Sequence, residues 1–338
     1  MAEINVLSLS YGKDSLACLG ACEQLGIPIH RIVHAEVWAT DEISADLPPM
    51  VEFKKKADAI IKERYGLEVE HICAMTTPEK KYGFFHDAPL MVGQREKHTN
   101  GSSTPQQTPE STESTSTDSL ANEGHGVKTS SPMMKLTYED IFYRPIKNPR
   151  KRERERRYGF PVRACPWCTG MLKAAPQDRT KKLFSNLPQQ QGAETNTVVS
   201  LLGIAADEPE RIERHMKKPN VRLPLVEIGW TEADCRKWCE ENDLLSPIYT
   251  TATRGGCWFC HNQGLEQLRL LRKNYPDLWE LLLKWDLDSP VTFKPDGHTV
   301  HDYDERFEAE DKGLVPTDRK FRWSMLDDVN DDSQLSLW

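Results

Sequence analysis

The hydrophobic pattern of the first 75 residues alternates between short apolar runs and longer segments with helical periodicity. Apolar runs over residues 4–9, 29–37 and 67–73 predict three buried strands. Residues 16–22 have the composition of the packed face of a helix, and residues 47–65 predict a second helix. Strands that alternate with helices in this way predict a parallel sheet with right-handed crossovers.

The pattern continues in the second half of the chain. Residues 197–204 form another apolar strand, and residues 231–242 predict a helix in which Thr231 and Asp234 form a capping pair. Residues 265–284 predict an amphipathic helix with its leucines inward, broken near Pro276. The expected fold class is therefore α/β, with a doubly wound, mostly parallel Rossmann-like sheet and a helical, cysteine-stapled C-terminal part.

Composition changes divide the chain. Residues 97–132 are of low complexity and lack an apolar period, so we expect a disordered insertion that cannot bury enough surface to offset its ordering entropy. The insertion lies within a predicted nucleotide-binding domain over residues 1–250. A C-terminal region with paired cysteines and helices is expected over 251–326, followed by an acidic tail over 327–338.

Overall composition restricts the class of protein. The chain has 338 residues, of which 38% are hydrophobic and 28% charged, and its formal net charge is -8. This balance argues against a surface that is basic throughout, although it permits a local basic groove. No long apolar stretch or signal peptide is evident, so we expect a cytoplasmic protein without a membrane segment.

The turn from Ser10 to Ser15 lies between the first strand and the first helix. Gly12 lets the backbone bend sharply, and free amides at the helix start form an anion site with the helix dipole. Lys13 adds a point charge, and the hydroxyls of Ser10 and Ser15 add donors. The turn lacks the glycine spacing of a Walker A loop. It predicts a pyrophosphate cradle, and the alternative is an ordinary polar turn.

Acidic residues follow two of the predicted strands. Asp41 comes at the end of the second strand, where the adenosine of a nucleotide would be expected. Asp207, Glu208 and Arg211 follow the strand over 197–204, where they are candidates for binding Mg²⁺, ribose or phosphate. Helix capping and a first helical turn enriched in acids are the alternatives for these positions.

Two Cys-x-x-Cys motifs provide candidate metal ligands. Cys165 and Cys168 form the first pair, and Cys257 and Cys260 form the second. Each motif places two thiolates on one tight turn, so the four cysteines predict a shared tetrahedral sulfur site that holds Zn²⁺ or a [4Fe-4S] cluster. The other five cysteines lie at apolar or helical positions and are expected in the core.

Seven of the eleven residues over 147–157 are basic. Such a run could follow the phosphates of a nucleic acid. It lacks interleaved aromatic residues, so base stacking is not supported there. We favour a solvated helix in which Glu153 and Glu155 pair with neighbouring arginines, and a nucleic acid remains the alternative partner.

Four stretches together carry a resemblance to a known family. They are Ser-Tyr-Gly-Lys-Asp-Ser at 10–15, Cys-Thr-Gly-Met-Leu-Lys-Ala-Ala-Pro at 168–176, Gly-Ile-Ala-Ala-Asp-Glu-Pro-Glu-Arg at 203–211, and Pro-Ile-Tyr with Gly-Cys-Trp-Phe-Cys within 247–260. With them the chain resembles the phosphoadenosine phosphosulfate reductase-like proteins of the PP-loop ATP pyrophosphatase superfamily, especially the forms of phages and mobile elements. Tyr11 replaces the first glycine of the family's Ser-Gly-Gly-Lys-Asp-Ser motif.

The resemblance implies cleavage of ATP between its α- and β-phosphates, with ATP and Mg²⁺ as cofactors. It also implies that the loop from Ser10 to Ser15 holds the pyrophosphate end of the nucleotide and that Lys173 faces it. The expected catalytic residues are Lys13, Asp14 and Lys173. The expected nucleotide-binding residues are Ser10, Tyr11, Gly12, Lys13, Asp14, Ser15, Asp41, Gly203, Asp207, Glu208 and Arg211.

Departures from the family pattern narrow the expected activity. A reductase of this family resembles a thiol enzyme with a catalytic cysteine near its C-terminus, whereas the last cysteine here is Cys260, and Ala205 stands where the reductases carry an arginine. The paired cysteines are similar to those of DNA phosphorothioation sulfurtransferases. We expect an enzyme that adenylates an acceptor for sulfur transfer, with a sulfur donor protein as a candidate partner. Sulfonucleotide reduction and a non-catalytic nucleotide-binding module are the alternatives.

Overall fold

The computed structural model describes residues 3–82, 132–146, 157–162, 164–186, 196–250 and 255–328. The strands are β1 Glu3–Ser8, β2 Arg31–Glu36, β3 Val69–Cys73, β4 Met75–Thr76, β5 Met134–Lys135, β6 Thr197–Leu201 and β7 Val221–Arg222. The helices are α1 Lys13–Leu25, α2 Pro48–Tyr65, α3 Pro78–Tyr82, α4 Tyr138–Phe142, α5 Ala175–Ser185, α6 Pro209–Met216, α7 Pro224–Ile228, α8 Glu232–Glu241, α9 Leu265–Asn274, α10 Pro276–Asp288 and α11 Val300–Asp311.

Five strands form one parallel sheet in the order β3-β2-β1-β6-β7. Helix α1 packs against α7 and α8 on one face of this sheet, and α5 packs across β1, β2, β3 and β6 on the other. The fold is therefore α/β with a parallel sheet, as predicted, and its layers are consistent with a Rossmann-like arrangement. The strand order reverses at β1, so the edge beyond β1 and β6 is where such sheets bind ligands.

The central strand β1 is apolar because both of its faces are covered. Leu7 packs with α1, α2, α7 and α8 in the main core, whereas its neighbour Val6 faces Val33 and Phe184 on the α5 side. Alternating residues thus enter two apolar layers, which explains why the sequence shows a continuous apolar run rather than alternation.

The predicted helices begin and end close to the observed boundaries where the sequence contains a capping residue, a proline or a glycine. Helix α2 begins at the predicted prolines and ends at Gly66, which adopts the left-handed conformation with a φ of 66°. The predicted Thr231–Asp234 capping box is present at the start of α8. The predicted break near Pro276 is also present: α9 ends at Asn274 and α10 begins at Pro276, which lacks the amide N–H that would continue α9.

A second core lies beside the sheet and is rich in aromatic side chains. Trp285 of α10 stacks on Trp258 with ring centroids 5.6 Å apart. Tyr138 and Phe142 of α4 and Trp167 pack into this same core, so parts of the predicted first domain share it with the C-terminal helices. The predicted domain boundary at residue 250 stays a prediction.

Several predicted segments fall outside the described residues. These are most of the low-complexity insertion over 97–132, the basic run over 147–157 apart from Arg157, and the acidic tail beyond residue 328. The guanidinium of Arg157 lies 5.6 Å from the ring centroid of Tyr143. Among the described helices, none combines the length and apolarity needed to span a membrane.

Candidate active site

A cavity of about 460 Å³ lies at the carboxyl edge of the parallel sheet. Its base is formed by the turn after β1 and by the residues that follow β2. Lys173 and Gln177 also line the cavity, as do Tyr249 and Cys257. Ligands bind at this edge in open α/β sheets, so the cavity is the candidate for the predicted nucleotide site.

The turn between β1 and α1 is closed by its two serines. The Ser15 hydroxyl donates to the Gly12 carbonyl oxygen at 2.9 Å and accepts from the Ser10 amide at 3.1 Å. The two serine hydroxyl oxygens lie 3.0 Å apart. Ser10, Gly12 and Ser15 all line the cavity, and the serine contacts hold the backbone of the turn in shape. Their role in phosphate binding stays a prediction.

Tyr11 adopts a backbone conformation that ordinarily favours glycine. Its φ is 56°, in the left-handed region, which costs a non-glycine residue about 1–2 kcal/mol. The side chain is fully buried, its hydroxyl donates to Asp58, and that hydroxyl lies 3.1 Å from Nε2 of His71. Burial and these contacts offset the backbone cost, so Tyr11 anchors the turn from beneath.

Lys13 lies in an acidic cluster rather than in the lining of the cavity. Its ammonium group donates to Asp14 at 2.8 Å and lies 3.0 Å from a carboxylate oxygen of Glu232. Glu208 completes the cluster, because one oxygen from each of the three carboxylates lies within 4.8 Å of the others. Burial lowers the pKa of Lys13, but the hydrogen bonds that its ammonium donates to Asp14 and Glu232 outweigh burial and raise the pKa overall. The lysine is therefore charged and held by acids.

Arg211 is held in a similar way. Its guanidinium donates to both carboxylate oxygens of Glu208, at 2.5 and 2.7 Å. Arg211 and Asp14 both line the cavity, so the two predicted phosphate ligands of positive charge, Lys13 and Arg211, flank one acidic cluster at its edge. Sequence reasoning missed Glu232, because nothing in the chemistry of helix α8 signals a contact with the first turn of the protein.

The remaining predicted nucleotide ligands divide into two groups. Gly203 lines the cavity and packs against the first turn of α1, where a Cβ atom would lie 2.5 Å from the Asp14 carbonyl oxygen. Asp41 and Asp207 do not line the cavity among the described residues. Asp41 pairs with Lys81 at 2.5 Å, and Asp207 accepts a hydrogen bond from the Glu232 amide. Their observed contacts are those of structural residues.

Tyr249 was also missed, and it contacts the turn from Ser10 to Ser15 directly. Its hydroxyl accepts a hydrogen bond from the Lys13 amide at 3.0 Å. A Cβ atom on Gly12 would lie only 3.3 Å from the same hydroxyl oxygen. Tyr249 therefore occupies one of the amide donors that the sequence assigns to phosphate.

A buried ammonium group lies behind two of the residues that line the cavity, His34 and Asp46. The Lys54 ammonium lies 2.5 Å from Asp46 and 2.7 Å from Nε2 of His34, while Nδ1 of His34 lies 2.9 Å from the Leu9 carbonyl. A carbonyl only accepts and an ammonium only donates, so His34 is neutral with its proton on Nδ1. Burial, followed by the charge of Lys54, lowers the pKa of His34. Asp46 and His34 both line the cavity and add polar contacts on its apolar side.

His71 links the Tyr11 anchor to two carboxylates and makes stability depend on pH. Its ring nitrogens lie 2.9 Å from Asp58 and 3.0 Å from Glu36, and these hydrogen bonds raise its pKa from 6.5 to about 9. A raised pKa in the folded state stabilises the protein fully below pH 6.5, and the stabilisation is lost as the pH rises through 9.

We therefore expect the free energy of unfolding to fall by about 2 kcal/mol between pH 6.5 and 9, after allowance for the partial solvent exposure of His71. Urea unfolding of the wild type and of His71→Gln across this range measures the difference. The substitution should remove this part of the pH dependence. Equal pH slopes for the two proteins would contradict the assignment.

Three of the four predicted metal ligands lie near one another. The thiols of Cys168, Cys257 and Cys260 all interact electrostatically with Lys173, and Cys257 also interacts with the other two. Cys165 is exposed, and its amide bonds to the Val162 carbonyl. All nine cysteines are free thiols. The predicted staple of four cysteines is not confirmed, and the shared metal site stays a prediction.

The local fold places Lys173 between the cysteines and the cavity. Residues Thr169–Ala174 form a wide helical turn in which the Ala175 amide bonds to the Gly170 carbonyl, five residues back. Wide turns of this type occur frequently at functional sites. Burial raises the pKa of the Cys257 thiol to about 11, and Lys173 opposes that shift. Lys173 and Cys257 both line the cavity, so the sulfur-rich group faces the predicted nucleotide site.

Comparisons with protein-family models, with curated proteins and with solved structures found no match to this chain.

Proposed function

We propose that this protein binds ATP in the cavity at the carboxyl edge of the sheet and cleaves it between the α- and β-phosphates to adenylate an acceptor for sulfur transfer. One observation supports this function above the others. The turn from Ser10 to Ser15 and the group formed by Lys173 and Cys257 line the same cavity. A polyphosphate held by the turn would leave its α-phosphate directed toward the cysteine side.

The proposed roles follow from the positions of the residues. The amides after Gly12 and the start of α1 would hold the leaving pyrophosphate, since a helix N-terminus favours negative charge. Lys13 would move from Glu232 to the phosphates and stabilise the charge that develops on the leaving group. Arg211 would contribute a second positive charge from the β6–α6 side, and Lys173 would face the α-phosphate.

The predicted Mg²⁺ has a matching set of donors. Asp14, Glu208 and Glu232 offer carboxylate oxygens, which are the ligands that Mg²⁺ prefers, and their ligand atoms lie within 4.8 Å of one another. A magnesium ion would neutralise the polyphosphate charge. Burial, with nearby Glu232 and Glu208, raises the pKa of Asp14 although Lys13 opposes the shift. These crowded negative charges favour a cation in their midst.

The proposed reaction has three balanced steps. An oxygen of the acceptor attacks the α-phosphorus, the bond between the α-phosphorus and its bridging oxygen breaks, and pyrophosphate leaves. A persulfide from a donor then attacks the carbon bearing the adenylate, the carbon–oxygen bond breaks, and AMP leaves. Reduction of the resulting disulfide link by a thiol releases the thiolated product and the donor as a disulfide.

The sulfur-rich group fits a metal or cluster by its chemistry. Cys168, Cys257 and Cys260 supply soft thiolate ligands, which suit zinc or iron–sulfur clusters. Burial raises the pKa of Cys168 and of Cys257, so these thiols hold their protons at neutral pH unless a metal displaces them. When bound, an iron–sulfur cluster would supply an electron-transfer or sulfur-binding centre next to the nucleotide.

The direct test is the site of ATP cleavage. The purified full chain would be incubated with Mg²⁺ and ATP labelled at the α-phosphate, with water as the only acceptor. We expect slow release of labelled AMP and free pyrophosphate, because water then takes the place of the acceptor oxygen. Labelled ADP would contradict cleavage between the α- and β-phosphates. Tight binding of ATP without any product would favour the non-catalytic module instead.

A parallel incubation separates sulfur transfer from sulfonucleotide reduction. The same protein would be given phosphoadenosine phosphosulfate with reduced thioredoxin, and sulfite would be measured. We expect none, because Ala205 stands where the reductases that the chain resembles carry an arginine. Stoichiometric sulfite would identify the reductase activity and overturn the proposed reaction.

A further inference from the structure

Tyr138 lies between the two cysteine motifs. Its ring centroid is 4.8 Å from that of Trp167, which precedes Cys168, and 4.2 Å from that of Phe259, which lies between Cys257 and Cys260. The motifs are far apart in the sequence, and they meet across this single tyrosine ring. Tyr138 is 1% exposed and Trp167 is 7% exposed, so the contact is part of the second core.

Two polar atoms in this contact lack hydrogen-bond partners among the described residues. They are the Tyr138 hydroxyl oxygen and the Trp167 indole nitrogen, both inaccessible to solvent. Buried donors of this kind are nearly always satisfied, and Tyr and Trp usually find a partner when buried. Two such donors side by side, each next to a cysteine motif, point to an acceptor that binds between them.

The surroundings indicate what kind of acceptor this is. Burial raises the pKa of Tyr138, and the thiols of Cys168, Cys260 and Cys257 are the next causes in order. No carboxylate is among the causes of this pKa shift, so the acceptors available near the Tyr138 hydroxyl are sulfur atoms. Thiolates and inorganic sulfides bound to a metal accept hydrogen bonds from O–H and N–H donors.

The spacing of the thiols distinguishes between two sulfur-rich groups. A single Zn²⁺ with Zn–S bonds of 2.3 Å brings its thiolates to about 3.8 Å from one another. Among the described cysteines, no three sulfur atoms lie within 4.8 Å of one another. An iron–sulfur cluster holds its thiolates farther apart, because each one binds a different iron. In any set of three of these thiols, at least one pair is therefore farther apart than a single Zn²⁺ would hold it, and an iron–sulfur cluster is the group considered below.

We propose that the Tyr138 hydroxyl and the Trp167 indole N–H donate hydrogen bonds to an iron–sulfur cluster held by Cys168, Cys257 and Cys260. This inference rests on the metal site of the proposed function and not on its nucleotide chemistry. Hydrogen bonds to the sulfurs of a cluster stabilise its more negative, reduced state. Tyr138 and Trp167 thus act through the cluster, as residues that set its reduction potential.

The test compares reduction potentials of anaerobically purified full-length proteins by visible spectroscopy, after iron and sulfide analysis. We expect Tyr138→Phe to retain the cluster and to lower its one-electron reduction constant about tenfold, which is a shift of about 59 mV to lower potential. Tyr143→Phe is the matched control, because the Tyr143 hydroxyl bonds to Asp288 instead. Its potential should equal that of the wild type.

Three outcomes would overturn the inference. They are an unchanged potential in Tyr138→Phe, equal shifts in Tyr138→Phe and Tyr143→Phe, and a colourless protein that holds zinc or no metal. Should Tyr138→Phe fail to assemble a cluster, resonance Raman spectra of wild-type protein reconstituted in H₂O and in D₂O provide the second test. A shift of the iron–sulfur bands in D₂O supports the donors, and its absence contradicts them. ATP cleavage is measured separately, so either proposal can fail alone.

Discussion

Replacement of Lys13 by alanine is expected to lower the rate of AMP formation from ATP by about 10²–10³-fold. The reason is that Lys13 is the positive charge nearest to the amides that would hold the leaving pyrophosphate, and loss of one preorganised donor to a developing charge has an effect of this size. Single-turnover assays with labelled ATP measure the change directly. The Michaelis constant should change less than the rate, because the charge develops in the transition state.

The matched control is Lys56→Ala on helix α2. Lys56 is exposed and pairs loosely with Asp243 at 3.5 Å. Its loss should leave AMP formation unchanged. Thermal unfolding of both variants checks that Lys13→Ala still folds, since it leaves Asp14 and Glu232 without their shared partner. If Lys13→Ala folded and retained wild-type activity, this turn would have no role in the reaction.

The second large effect is expected from Gly203→Ala. A Cβ atom there would lie 2.5 Å from the Asp14 carbonyl oxygen and 2.6 Å from Cα of Ser15. Both are backbone atoms of the first helical turn, so the clash can be relieved only when the phosphate-binding turn moves. We expect a loss of stability of about 1–3 kcal/mol and an ATP affinity at least tenfold lower.

Gly264→Ala provides the comparison for this variant. Gly264 precedes helix α9, and its added Cβ would meet only the Gln267 side chain, at an ordinary distance of 3.8 Å. Its ATP affinity, measured by calorimetry, should match that of the wild type. If Gly203→Ala bound ATP as tightly as Gly264→Ala, the β6–α6 turn would have no part in shaping the site.

The parts of the fold that sequence reasoning predicted depend on local patterns. The apolar runs of β1, β2, β3 and β6 and the punctuation of α2 by proline and glycine are visible within a few residues, because a parallel sheet buries its strands on both faces. The turn from Ser10 to Ser15 was predicted for the same reason. Its glycine, lysine and serines lie together in the sequence as they do in space.

The parts that could not be predicted depend on contacts between distant residues. Tyr249 bonds to the Lys13 amide across 236 positions of the chain. Glu232 reaches Lys13 from α8 only because α8 packs on α1. Asp46 and His34 gain their roles from the buried ammonium of Lys54, which sequence periodicity cannot distinguish from a surface lysine. Of these residues, only Asp46 could have been identified from the sequence, because it is an acidic residue that follows strand β2.

Tyr11 adopts a left-handed backbone conformation that usually requires glycine. A glycine would adopt the left-handed conformation at no steric cost, whereas Tyr11 adopts it and buries a large side chain beneath the turn. The tyrosine couples the turn to Asp58 and His71, neither of which is near it in sequence. The motif alone therefore predicts the shape of the turn, and the surrounding residues determine how firmly it is held.

The most direct measurement is a structure of the protein with Mg²⁺ and an ATP analogue that cannot be cleaved between its α- and β-phosphates. We predict that the β- and γ-phosphates bind to the amides from Gly12 to Ser15 and that the Lys13 ammonium contacts a phosphate oxygen instead of Glu232. It also predicts the α-phosphate on the side of Lys173 and Cys257. Phosphates bound elsewhere, with Lys13 still between Asp14 and Glu232, would contradict it.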